Sequence, residues 1–389
     1  MNKRRIALVF EGLQEVHLHK DVGMIPYVLA RDFQYESEIL FLKDKNNSGL
    51  EGLSSIVKNV PFAKRFCFLP DKFGFQIFKK IGLLYYLAVH ARKIDVLMLF
   101  HPSYDRYFFT RLYKLLNPKG LVYLKLDMGH RTLSYLEKLI AENKMRFSYF
   151  FRRNIELTDI ISIETYDKYK ILSAGFVGID ISTKLIHIPN GFDESNKMDF
   201  DFEDKGNIII TVGRIGTYEK NTEMFLSIVE KLNLRDWKIF LIGPIEPSFE
   251  ITLCEFYNRN SELKDKVFVV GNISDKETLY EWYRKSKVFC LTSRYEAFPL
   301  VFPEALYFGN YIVTTDVGAA NDITKDQALG KICGIDDVAG MVSILQSIID
   351  EDIDLKSYYA KITHHAKDQF IWNKIVNQLH GRLEQLYEN

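Results

Sequence analysis

Cysteine is scarce in this sequence: Cys67, Cys254, Cys290 and Cys333 are the only four, far apart and with no CxxC pair. That spacing excludes a disulfide framework and a cysteine zinc site, and it fits a reducing cytosol. Long apolar runs are also missing. The stretch from Ile81 to Val89 falls well short of the roughly 20 residues that cross a bilayer. The basic start Met1-Asn2-Lys3-Arg4-Arg5 leads into an apolar run that stops at Glu11, too short for a signal-peptide core, and it reads as a first β-strand. There is no Walker loop, GxGxxG, short-period repeat or low-complexity tract. A DxD does occur, Asp199-Phe200-Asp201, but among clustered acids in a linker rather than after a strand. Solvated acids are expected there, not metal ligands. Net charge is absent as well, with 51 basic and 51 acidic side chains. A soluble, cytoplasmic protein is the expectation.

What is present suits a two-domain α/β protein. The 389 residues exceed what one core usually supports, and 47% apolar with 26% charged residues is an ordinary globular balance. Charge is unevenly distributed. Residues 1–195 carry 29 Lys+Arg and 21 Asp+Glu, a net of +8, and the remainder carries a net of −8. The first half would then face something anionic, or simply have an uneven solvated surface. Short apolar segments alternate with longer amphipathic ones: Ile6–Phe10, Glu38–Leu42, Val96–Phe100, Leu121–Leu126 and Ile160–Ile163, then Ile208–Val212, Lys238–Ile242, Val267–Val270, Val288–Leu291 and Tyr311–Thr314. They lack strict alternation, as strands buried on both faces do, and the βαβα rhythm predicts parallel sheets. The strand-like Leu185–Ile188 runs into the turn cluster Pro189-Asn190-Gly191-Phe192-Asp193, followed by a polar, acidic stretch from Glu194 to Gly206. That places a domain of residues 1–195 before one of 196–369. A last helix over 370–389 carries Trp372, Ile375, Val376, Leu379 and Leu383 at helical spacing.

Two segments carry chemistry. In Thr211-Val212-Gly213-Arg214-Ile215-Gly216-Thr217-Tyr218-Glu219-Lys220-Asn221 a strand ends in Gly-Arg, passes a second glycine and enters a helix. Glycines let the backbone turn and leave room beside it. Arg214 and Lys220 flank a helix N-terminus, a fork and a point charge suited to a pyrophosphate. Solvated cations on a βα turn would look the same. The second segment runs from Ser293 to Leu306. Glu296 lies in the loop after a strand, at the edge where open α/β sheets bind ligands, and Glu304 lies in the helix that begins near Pro299. Backbone N–H groups of Phe298 and Leu300, on either side of Pro299, are placed for a phosphate, and the carboxylates suit sugar or ribose hydroxyls. Two glutamates eight apart are common by chance; the strand–loop–helix context gives the pair its meaning.

Together, Pro189-Asn190-Gly191, Gly213-Arg214 with Lys220-Asn221, the Glu296/Glu304 pair and Asp316-Val317-Gly318 resemble family 4 of the retaining glycosyltransferases ("glycosyl transferases group 1"). The resemblance is dense in the second half and rests on the strand–helix rhythm in the first. It implies the GT-B fold: two Rossmann-like parallel-sheet domains facing across a cleft, with the last helix crossing back to the first domain near Phe370-Ile371-Trp372. It also implies that Gly213, Arg214 and Lys220 bind the donor pyrophosphate, Glu304 the ribose, Glu296 the donor sugar near its reacting carbon, and the Val270-Gly271-Asn272 region the base. No metal or other cofactor is implied, because cationic side chains and a helix N-terminus would stabilise the leaving diphosphate.

The first domain departs from the family pattern. Where many relatives carry a glycine pair, this chain has Glu11-Gly12-Leu13, and the place of a functional histidine falls at Lys125-Leu126-Asp127-Met128-Gly129-His130. Asp127 or His130 would take the acceptor proton or orient its hydroxyl, or serve as a helix cap and a surface residue. The basic-aromatic stretches 72–80 and 106–114 suit the surface of an anionic membrane, or a buried core. The resemblance implies a hexosyltransferase using a nucleoside-diphosphate sugar and a glycan or lipid-linked glycan acceptor in bacterial surface polysaccharide assembly. It would be cytoplasmic, with peripheral contact at the membrane's cytoplasmic face and no nucleic-acid partner. The alternatives are a GT-B-fold sugar-nucleotide epimerase and a catalytically silent scaffold or binding protein.

Overall fold

All thirteen β-strands found among the described residues pair in parallel. The computed structural model describes residues 3–42, 50, 63–66, 76–142, 145–194 and 200–388. It divides into two units, one formed by Met1–Asn190 with Trp372–Asn389, the other by Gly191–Ile371.

Unit 1 holds β1 (Arg5–Val9), α1 (Glu15–Leu18), α2 (Asp21–Phe33), β2 (Glu36–Leu42), β3 (Ala63–Phe66), α3 (Gln76–His90), β4 (Val96–Phe100), α4 (Arg106–Leu116), β5 (Leu121–Lys125), α5 (His130–Ala141), α6 (Met145–Leu157), β6 (Ile160–Ile163), α7 (Tyr166–Ser173) and β7 (Leu185–His187). Its strand order is β3-β2-β1-β4-β5-β6-β7. Period-two geometry sends Ile6 and Leu8 to one face of β1, and Ala7 and Val9 to the other. The first face packs with Val22, Ile25 and Leu29 of α2 and with Trp372, Ile375, Val376, Leu379 and Leu383. Those five lie on one stripe of the C-terminal helix, Trp372–Glu388. The second face is covered by Leu83 and Leu87 of α3, Phe109 and Tyr113 of α4, and Phe151 and Ile155 of α6. Both faces are buried, which is why these strands read as continuous apolar runs.

Unit 2 continues with β8 (Gly206–Val212), α8 (Thr222–Val229), β9 (Lys238–Ile242), α9 (Phe249–Arg259), β10 (Val267–Gly271), α10 (Lys276–Lys285), β11 (Ser286–Leu291), α11 (Val301–Tyr307), β12 (Tyr311–Thr315), α12 (Ala320–Thr324), β13 (Gly330–Cys333), α13 (Val338–Ile349) and α14 (Leu355–Gln369); the C-terminal helix of unit 1 is α15. The order is β10-β9-β8-β11-β12-β13. Both sheets therefore run 3-2-1-4-5-6 from their own first strand, the Rossmann order, with one strand more in unit 1. The order reverses between β1 and β4 in unit 1 and between β8 and β11 in unit 2. In such sheets ligands bind outside the carboxyl ends of the strands at that reversal. At the ends of unit 2, Phe192 donates its N–H to the Phe370 carbonyl at 2.7 Å and pairs with Ile371.

Two strands have no apolar run to announce them. β3 is Ala-Lys-Arg-Phe and β13 is Gly-Lys-Ile-Cys. Each forms an edge of its sheet, where lysine is tolerated and guards against edge-to-edge pairing. Of the DxD, Asp199 lies outside the described residues. Asp201 accepts from the Phe202 N–H at 2.6 Å and caps a short 3-10 turn.

Candidate functional site

The loop after β8 is shaped by its second glycine. Gly216 has φ +87°, and a β-carbon there would stand 2.3 Å from Phe249 Cβ. Only glycine accepts both the backbone angle and the close approach. Beyond it, the carbonyl of Thr217 accepts from the N–H groups of Lys220 and Asn221 at 3.1 Å each, and Asn221 (φ +52°) opens α8. Its buried side chain donates to Asp336 at 2.8 Å. The turn thus presents Arg214, with its side chain 61% exposed, and Lys220, mostly covered at 18%.

The loop after β11 is stitched to the first. Thr292 Oγ1 donates to the Lys220 and Asn221 carbonyls at 3.2 and 3.1 Å. The Arg294 N–H donates to the Glu219 carbonyl at 2.8 Å, and its guanidinium covers the Tyr218 ring at 4.6 Å. Tyr295 donates to Glu219 at 3.0 Å. These bonds bring two of the expected residues together: the Lys220 ammonium lies 2.5 Å from Glu296 Oε1, which also accepts from Ser293 Oγ at 2.9 Å.

Glu304 has a separate set of partners. It stands in the first turn of α11, 7% exposed, and accepts from Lys276 at 2.5 Å and from Tyr283 at 3.0 Å. Helix α11 starts at Val301, two residues later than expected, because Phe298 and Pro299 are still part of the loop. Phe298 is buried and its ring lies 6.1 Å from that of Phe370; Pro299 is buried and Leu300 half-buried. Asn272 is exposed in the connection between β10 and α10.

In unit 1 the corresponding edge is crowded with charge. Asp127 follows β5 with φ +34°, and its Oδ2 lies 4.0 Å from Nδ1 of His101, which follows β4 with φ +60°. Burial lowers the pKa of His101 against the pull of Asp127, which keeps the imidazole neutral and able to accept a proton. Below this pair, Glu164 Oε1 accepts from the Met128 N–H at 3.0 Å, and the wholly buried Lys125 reaches the Ile188 carbonyl at 2.7 Å and Asp21 at 3.6 Å. The side chain of His130 lies outside the described residues.

Two groups on this edge escaped the sequence reading. His101 stood in plain view immediately after the strand 96–100. The Glu11–Arg106 pair was hidden, because its members lie 95 positions apart. Arg106 donates to both Glu11 oxygens, at 2.6 and 2.9 Å, and to the Phe100 carbonyl at 3.0 Å. Burial works to raise the Glu11 carboxyl, but the hydrogen bonds and charge of Arg106, with Lys80, hold it below its ordinary value.

Of the two readings of 106–114, membrane surface or buried core, the core holds for most of the stretch. Arg106, Phe109, Thr110 and Tyr113 are buried in the core, and only Phe108 of its aromatics is strongly exposed. Residues 72–75 of the other stretch lie outside the described residues. Among the described residues no helix is long and apolar enough to cross a membrane.

The fold is that of an α/β protein of two Rossmann-like units, the GT-B architecture. Residues 192–368 match the family described as Glycosyl transferases group 1. The chain is 29% identical over 208 residues to the GalNAc-alpha-(1->4)-GalNAc-alpha-(1->3)-diNAcBac-PP-undecaprenol alpha-1,4-N-acetyl-D-galactosaminyltransferase of Campylobacter jejuni, covering 50% of this chain and 55% of that one. It is 33% identical over 133 residues to the amylovoran biosynthesis glycosyltransferase AmsD of Erwinia amylovora, covering 34% and 36%. The chain thus spans between a third and just over half the length of these relatives. The structure of Anabaena Alr3699/HepE in complex with UDP superposes with a TM-score of 0.72 at 13% identity, over 98% of this chain and all of that one. At that identity the likeness shows the fold.

Proposed function

We propose that this chain is a retaining glycosyltransferase that moves a hexose-type sugar from a nucleoside-diphosphate sugar to a glycan or lipid-linked glycan, in the assembly of a bacterial surface polysaccharide. One observation carries the reading. The carboxyl edge of the unit 2 sheet, at and beside its reversal point, carries Arg214 and Lys220 on one loop, Glu296 hydrogen-bonded to Lys220 on the next, and Glu304 enclosed beyond it. Cations suit a diphosphate and carboxylates suit the hydroxyls on either side of it. The relatives named for building undecaprenol-linked and amylovoran glycans support the acceptor class.

In this reading Arg214 and Lys220 take the diphosphate, Glu304 the ribose, Glu296 the sugar, and the backbone near Asn272 the base. The acceptor hydroxyl oxygen bonds to the anomeric carbon as the bond from that carbon to the β-phosphate oxygen breaks. The diphosphate leaves with the electron pair, and the hydroxyl proton passes to it on the same face of the sugar. Leaving-group charge is carried by Arg214 and Lys220 rather than by a metal. In unit 1, Asp127 with His101 is assigned to orient the acceptor hydroxyl. The chain would work in the cytoplasm, in peripheral contact with an anionic membrane.

The test is a thermal-shift and hydrolysis screen of purified protein against a panel of nucleoside diphosphate sugars with EDTA present. Stabilisation by one nucleotide series, with slow hydrolysis of one sugar, is the expected result. Silence toward every nucleotide would end the reading.

A further inference from the structure

Glu304 reaches its position with both carboxylate oxygens engaged, Oε1 by the Lys276 ammonium and Oε2 by the Tyr283 hydroxyl. A carboxylate this enclosed needs a counter-charge, because burying it alone is costly. Tyr283 does not supply one. Burial, and after it the charge of Glu304, push the phenol far above its ordinary value, so it remains a neutral donor. Lys276 is the cation. It occupies the first position of α10, directly after the Asp275 cap that accepts from the Thr278 N–H at 2.8 Å. Its ammonium lies 5.8 Å from the centre of the Tyr280 ring, a cation–π distance that limits where the stem can swing. An ammonium has three donors. Glu304 takes one, and the Lys276 side chain is 41% exposed, so it opens to solvent at the start of α10, just after the connection that carries Asn272.

From this geometry we propose that Lys276 is a nucleotide-binding residue of unit 2: it holds the Glu304 carboxylate in one orientation, and donates to the oxygens of the ribose hydroxyls that Glu304 binds. The proposal rests on the donor reading given above. A ribose hydroxyl both donates and accepts. Its proton goes to the carboxylate, and the lone pairs left on its oxygen face the ammonium. A cis-diol between one carboxylate and one ammonium satisfies both groups. The ligand class is therefore a ribonucleoside diphosphate with free 2′ and 3′ hydroxyls, and Lys276 makes the site sensitive to both.

Calorimetric titration of the full chain with UDP, GDP and ADP, and with the 2′,3′-dideoxy analogue of whichever binds, tests this in wild type, Lys276→Ala, Lys276→Arg and Glu304→Gln. Lys276→Ala is expected to weaken the ribonucleotide about tenfold, the loss of one charge-assisted contact, while leaving the dideoxy analogue within about twofold. Lys276→Arg keeps the charge and recovers most of the affinity. In the Glu304→Gln background, Lys276→Ala adds little, because the two residues act as a unit. Equal weakening of both ligands by Lys276→Ala, or no weakening of either, overturns the proposal. If wild type binds and Glu304→Gln weakens the ribonucleotide while Lys276→Ala does not, only the Lys276 assignment falls. If none of the three diphosphates binds wild type, the donor reading falls and takes this inference with it.

Discussion

The Lys220 ammonium lies 2.5 Å from Glu296 Oε1 across 76 positions of sequence. The bond joins the loop after β8 to the loop after β11, so the cation expected at the diphosphate and the carboxylate expected at the sugar constrain each other. Both side chains are 18% exposed, which strengthens the attraction relative to a surface pair. Lys220→Ala is expected to weaken binding of a nucleoside diphosphate ten- to a hundredfold, about 1.4 to 3 kcal/mol for a charge-assisted contact. Binding of the parent nucleoside should change little. Calorimetry with the two ligands makes the comparison, and an equal loss for both would remove Lys220 from the phosphates.

Glu296 and Glu304 are separated in the structure by their partners as well as by sequence. Glu296 shares Lys220 and Ser293, whereas Glu304 is held by Lys276 and Tyr283. Their losses should therefore be felt in different constants. Glu304→Ala removes a ground-state contact and is expected to raise donor Kd and KM about tenfold or more. Glu296→Ala is expected to lower kcat about a hundredfold with a smaller change in KM. Steady-state kinetics on the donor identified by the screen, with a binding titration alongside, separates the two. Matching, negligible effects of both would sink the division of labour.

Much of this was legible because buried parallel strands leave an unmistakable apolar run. Ile160–Ile163 and Lys238–Ile242 stand in the structure with the bounds read from sequence. Edge strands β3 and β13 carry lysine and no such run, and they were missed. Loop motifs could be located but not partnered. Glycine-Arg-x-Gly reads as a turn, yet nothing local says that Lys220 will meet Glu296. Lys276 illustrates the limit best, since a lysine opening a helix is ordinary until the fold puts Glu304 28 positions later against it. Arg106 shows the reverse error. It reads as a surface cation among aromatics, but Glu11, far away in sequence, draws it into the interior.

Gly216 and Gly271 share nearly the same backbone angle, φ +87° and +85°, but differ in surroundings. A β-carbon on Gly216 meets Phe249 at 2.3 Å, and one on Gly271 meets nothing within 4 Å. Gly271→Ala should carry only the backbone strain, about 1 kcal/mol. Gly216→Ala adds a steric clash in a packed loop, for about 2 to 4 kcal/mol in all. Thermal unfolding of both variants checks this, and a Gly216 variant as stable as the Gly271 variant would contradict the described packing.

Glu164 offers a test of the charge cluster in unit 1 through pH. It is fully buried, and its surroundings include Lys125, Lys168 and Asp127, the Met128 N–H on Oε1, and His187, whose Nε2 lies 3.1 Å from the Glu164 carbonyl. Burial, with the repulsion of Asp127, raises its carboxyl above the ordinary value of 4.5 against the pull of Lys125 and Lys168. A group raised in the folded state binds its proton more tightly there than in the unfolded chain. Its contribution to stability is thus complete below pH 4.5 and is lost as pH climbs through the raised value. Glu164→Gln keeps an acceptor for the Met128 N–H but cannot ionise. The stability of this variant relative to wild type should therefore improve with rising pH from about 4.5 toward neutrality, by about 1 to 3 kcal/mol. Parallel stability curves for the two proteins across that range would show that the Glu164 carboxyl is not raised in the folded state.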